Sequence, residues 1–101
     1  MDTSRLTIEN FEASHIDGSS FDHRSHIYVA WLYLDAFDTE VAIQRFDAAL
    51  RRLVVALGAE SKYNAMVTWL FLKLIAARKR DDEDWESFAS HNEDLFAQFP
   101  R

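Results

Sequence analysis

Two histidines three residues apart, His23 and His26, are the residues whose type and spacing best suit chemistry. Imidazole titrates near neutral pH, so such a pair can accept and return a proton. A second polar group follows Gly58 and comprises Lys62, Tyr63, Asn64 and Thr68. Lys62 and Arg24 are cations able to hold an anionic group. Tyr63 carries a phenol, and Asn64 and Thr68 offer hydrogen bonds that orient a ligand. On this basis His23, His26 and Tyr63 are the candidate catalytic residues, and Arg24, Lys62, Asn64 and Thr68 the candidate binding residues. The chemistry they suit is binding, with acid–base transformation as an extension, of a small polar or anionic metabolite.

Two other readings stay open at this level. The histidines can be structural, closing one end of a bundle. They can also share a metal, since two imidazoles on adjacent helical turns face the same way, but a transition metal normally takes a third protein ligand. His15, Asp17 or Asp22 would be needed to complete such a set, and no metal site is assigned. Glycine-rich phosphate loops, dinucleotide fingerprints, zinc-protease helices and hydrolase elbows are missing from the sequence, so no cofactor is named.

These groups need elements to position them. Ile27, Ala30, Trp31, Leu34 and Phe37 recur at helical steps and predict a first long helix over 22–37, capped by Asp22. The stretch 40–57 predicts a second, with Val41, Phe46, Ala49, Leu50, Leu53 and Leu57 inward. Its solvated face holds Gln44, Arg45, Asp47, Arg51 and Arg52, and Gly58 stands at its C-terminal cap. A third is expected over 61–80, capped by Ser61. It has almost no polar face from Tyr63 to Ile75, and a helix apolar all round is expected to be buried all round. Asp81-Asp82-Glu83-Asp84 reads as a solvated acidic turn. A short helix follows over 84–90, then a last turn with Leu95, Phe96 and Phe99, ended by Pro100. Short connections make the long helices antiparallel, so the first and third begin at the same end. That juxtaposition brings His23, Arg24 and His26 towards Lys62, Tyr63 and Asn64. It also sets two helix N-termini together, which favours an anion.

The expected fold is therefore all-α. It is a single domain of three long helices plus one or two short C-terminal ones (21–101), preceded by an extended N-terminal arm (1–20) with a turn at Asp17-Gly18-Ser19-Ser20. Two glycines and one proline in 101 residues argue against a turn-rich β architecture. Eleven basic residues against 17 acidic leave a net charge of −6, which disfavours nucleic acid as a partner. The absence of cysteine removes disulfides and thiolate chemistry. The first ten residues lack the apolar core of a secretory signal, and no apolar run spans a bilayer, so a cytoplasmic, non-membrane protein is expected. The apolar excess of the third helix implies a homo-oligomer, most simply a dimer. As an alternative function, the chain is a non-enzymatic, homodimeric interaction module in which the histidines are structural.

Phe21-Asp22-His23-Arg24-Ser25-His26, Ala30-Trp31-Leu32-Tyr33-Leu34, Gly58, Lys62-Tyr63-Asn64 and Thr68 together resemble a small bacterial family of all-helical proteins, over roughly residues 21–75. That family's pattern carries histidine at the position of Asn64. The resemblance thus implies a three-histidine site in the family, of which this chain keeps His23 and His26. It marks residues and supplies no reaction.

Overall fold

The structure, a computed structural model, describes residues 4–18 and 21–97. Every regular element among them is helical. In chain order they are α1 (Ile8–Glu12), α2 (His23–Ala36), α3 (Thr39–Ala56), a 3-10 turn (Glu60–Lys62), α4 (Ala65–Arg78), α5 (Trp85–His91) and α6 (Glu93–Ala97). The radius of gyration is 12.7 Å, close to the ~13 Å of a folded chain of about 100 residues. No helix among the described residues is long and apolar enough to cross a membrane.

Side-chain caps set most of the helix starts. Asp22 accepts from the Ser25 amide at 2.9 Å and from the Ser25 hydroxyl at 2.9 Å, opening α2. Asp84 does the same for α5 through the Ser87 amide at 2.8 Å. At α4 the expected cap, Ser61, lies instead in the 3-10 turn, and Asn64 opens the helix by accepting from the Val67 amide at 3.0 Å. A short carboxamide aimed at its own backbone is a strong start signal, and it overrides the apolar periodicity that suggested a start at 61. At the C-terminal end of α3, Gly58 adopts φ +66° and turns the chain, a conformation glycine takes without a Cβ penalty.

The arm departs from the extended form expected. Thr7 caps a helical turn by accepting from the Asn10 amide at 3.1 Å, and α1 delivers Phe11 into the centre of the molecule. The Phe11 ring stacks on Phe46 of α3 at 5.1 Å and meets the edge of Tyr33 of α2 at 5.9 Å. Leu6 and Ile16, which precede and follow α1 in the chain, are buried as well. Glu12 then fastens the turn: it accepts from the Tyr33 hydroxyl at 3.1 Å and from Arg45 at 2.9 Å. The arginine hydrogen bond holds the Glu12 carboxyl below its ordinary pKa, and burial together with that carboxylate pushes the Tyr33 phenol up.

Three further expectations are corrected. Val41 and Leu57, expected inward on α3, are exposed, whereas Asp47, expected in solvent, is buried. Glu83 leaves the otherwise solvated acidic turn: its side chain is only 5% exposed and faces His91 and Ser87 at 3.3 Å each. The largest correction concerns α4. Of its apolar residues only Leu72 and Ile75 are fully buried, while Met66 is 73% and Leu70 60% exposed, with Trp69 and Leu74 also exposed. The arm packs on α2 and α3 and α6 packs on α2, so neither covers the outer face of α4. The expected contributions of Phe99 and Pro100, and of Ser19 and Ser20 to the turn, lie outside the described residues.

Because Phe11 is wholly buried among three other rings, Phe11→Ala should cost about 3–5 kcal/mol. A domain of this size has about 5–15 kcal/mol in total, so urea unfolding should show a sharply lowered midpoint. A loss below about 1 kcal/mol would mean that the arm is not part of the core.

Candidate functional site

The first turn of α2 and the segment 61–68 meet at one end of the bundle and share a cavity of about 640 Å³. Its inner wall is apolar, with Ile27 and Ala30 from α2, Leu50 and Leu53 from α3, and Leu72 and Ile75 from α4. Five of the seven sequence-derived site residues line it: His26, Lys62, Tyr63, Asn64 and Thr68. The other two face elsewhere. His23 donates from Nε2 to the Leu95 carbonyl at 2.8 Å and meets the Phe71 ring edge-on, tying α6 to the start of α2. Arg24 lies over the Phe96 ring at 4.6 Å.

Within the cavity lining most polar groups already hold structural bonds. The Asn64 side chain caps α4, and the Thr68 hydroxyl donates to the Asn64 carbonyl at 2.9 Å. The Tyr63 hydroxyl donates to Asp47 and accepts from Arg51 Nε, which also reaches Asp47 at 3.1 Å. Burial, with the Asp47 bond added to it, raises the Tyr63 pKa, so the phenol stays protonated near neutral pH. This Asp47–Arg51–Tyr63 cluster was legible only in half: the four-residue spacing of Asp47 and Arg51 marks an ion pair on one helix, but nothing local signals that Tyr63 joins it.

His26 packs on the Phe21 ring at 4.2 Å. Burial drives its pKa down to about 4, the neighbouring His23 adding to the effect and Asp22 opposing it. His23 is shifted down as well, chiefly by burial, against the pull of the Leu95 carbonyl and Asp22. At neutral pH both imidazoles are therefore uncharged. The lining then holds one formally charged side chain among the described residues, Lys62, and no carboxylate. Lys62 is exposed at the mouth and forms no ion pair among the described residues. Nor do the described residues contain any group of three His, Cys, Asp or Glu side chains placed to hold a metal ion.

Comparison with known proteins finds no matching family model, curated protein or solved structure.

The neutral state of His26 has a consequence for stability. In the unfolded chain this imidazole takes up a proton as the pH falls through ~6.5, while in the folded chain it resists until about pH 4. Protons therefore favour the unfolded state throughout that window, and the stability present above pH 6.5 is lost on acidification. The linkage is worth on the order of 2–3 kcal/mol. His23 acts in the same direction. Urea midpoints measured from pH 7 to pH 4.5 should fall for the native chain and fall less for His26→Leu. An NMR titration placing His26 near 6.5 would refute this account.

Proposed function

We propose that this protein binds a small organic molecule in the cavity between α2, α3 and α4, as a binder rather than as an acid–base catalyst. The observation carrying this reading is the cavity itself. Its volume of about 640 Å³ falls within the range of about 300–1,000 Å³ typical of small-molecule pockets, which are mostly apolar with a few polar groups. The proton-transfer roles expected of His23 and Tyr63 are less well supported, because His23 bonds to Leu95 outside the cavity and the Tyr63 hydroxyl is held by Asp47 and Arg51. The apolar inner wall narrows the ligand class away from wholly polar metabolites, whose hydrogen bonds to water would go unreplaced there.

Anilinonaphthalene sulfonate, an aromatic anion of suitable size, provides the test. It should bind saturably at one site with enhanced fluorescence. Val54→Phe, which enlarges a half-buried lining residue, should abolish that binding while circular dichroism stays unchanged. Binding that is unsaturable, or equal in the two proteins, would remove the cavity as the site.

A second reading, self-association, is favoured by a separate observation, the uncovered apolar face of α4. Met66, Leu70 and Leu74 follow one another at four-residue steps and are all exposed, so they form a single row. Two copies crossing antiparallel about a two-fold axis would set Leu70 against Leu70 and Met66 against Leu74, a self-complementary pairing. The native chain should then associate in sedimentation equilibrium at micromolar concentration, and Leu70→Asp should stay monomeric with unaltered helix content. A native chain that is monomeric at high micromolar concentration would sink this reading.

A further inference from the structure

The geometry points to a specific ligand class for this cavity: an unbranched or aromatic monocarboxylate, its apolar body among the helices and its carboxylate at Lys62. This inference rests on the cavity being the binding site and adds the charge and shape of what enters it.

Charge is the first argument. The chain carries a net charge of −6, yet no carboxylate lines the cavity, and the one formally charged side chain among the described lining residues is a cation, Lys62. In a protein this acidic, a lining free of Asp and Glu favours anions locally. Lys62 is exposed on the 3-10 turn, where its flexible stem can carry the ammonium over the opening. A single lysine balances a single negative charge. A dianion such as a phosphate monoester would face the remaining negative field with no second cation in the lining.

Geometry is the second argument. Of the lining residues, Ser61, Lys62 and Asn64 are exposed, with Leu57 beside them, whereas Leu53, Leu72 and Ile75 are buried. A ligand that is polar at one end and apolar along its length satisfies both zones. A sugar or a short dicarboxylate would set polar atoms against the inner wall with no partners. His26, neutral at working pH, adds no second positive charge and so preserves the preference for a monoanion.

Three eight-carbon probes of one shape and different charge separate the possibilities: octanoate, octanol and octylammonium, all below micelle-forming concentration and followed by calorimetry and amide NMR shifts on the full chain. Octanoate should bind best and octylammonium worst, and affinity should rise about fourfold per methylene from hexanoate to octanoate. Lys62→Met should weaken octanoate about fivefold, the size of a partly screened ion pair, leave octanol unchanged, and be rescued by Lys62→Arg. If the three probes bind equally, or if Lys62→Met alters nothing, the carboxylate assignment is overturned while the cavity stands. If no probe binds, or if shifts fall on Met66 and Leu70 rather than on Ile27, Leu53 and Ile75, the cavity reading falls with it.

Discussion

The meeting of Phe11, Tyr33 and Phe46 is the contact on which the rest of this structure depends. Three rings from three elements converge with centroids 5.1–5.9 Å apart, and aromatic groups of this size dominate the burial available to a small domain. The polar closure beside them is equally specific. Tyr33 is buried with its hydroxyl on Glu12, and Glu12 is paired with Arg45. A buried phenol without a partner would be costly, so α1 cannot leave without stranding it. Burial of Phe11 and satisfaction of Tyr33 are thus one event, and it locks α1, α2 and α3 together.

That event governs the other half of the molecule by taking the arm out of play. With α1 committed to α2 and α3, no element among the described residues covers the outer side of α4. Leu72 and Ile75 hold this helix by its inner face alone, and its mean character, apolar on every side, finds no matching environment. The cavity lies where α4 meets α2 and α3 near its N-terminal end. There Asn64 sets the helix start while Tyr63 is drawn sideways to Asp47, so the bulkiest side chain of the turn is anchored towards α3. The gap and the exposed face are two consequences of one allocation of apolar surface.

Electrostatics follows the same division. The ion pairs, Arg45 with Glu12, Arg51 with Asp47, Arg78 with Asp94 and Lys79 with Asp35, join elements or brace one helix. None of these carboxylates lines the cavity, and only Asp47 approaches it, through its bond from the Tyr63 hydroxyl. The net acidity of the chain is therefore spread over its surface and its braces, and the described cavity lining is left with a single charged side chain, Lys62.

Residues close in the chain decide a large part of this structure, and those parts were readable without coordinates. Asp22 and Asp84 cap helices because their side chains reach amides three residues on, and Gly58 turns the chain because it lacks a Cβ. The stripe of Ile27, Ala30 and Trp31 is buried because helical spacing puts those residues on one side. The end-to-end logic of short connections likewise brought His23, Arg24 and His26 towards Lys62, Tyr63 and Asn64, and of the three only His26 shares their cavity. What depends on distant partners was not readable. Asp47 looked solvated until Tyr63, 16 residues away, covered it. His23 shared the spacing of His26, but Leu95, 72 residues away, claimed its Nε2. The outer face of α4 looked buried because apolar periodicity reports which residues seek cover, and only the packing of the whole chain decides whether cover remains to be given. Local geometry sets the elements, whereas the competition of all elements for a limited apolar surface sets which faces are closed, and that competition has no local signature.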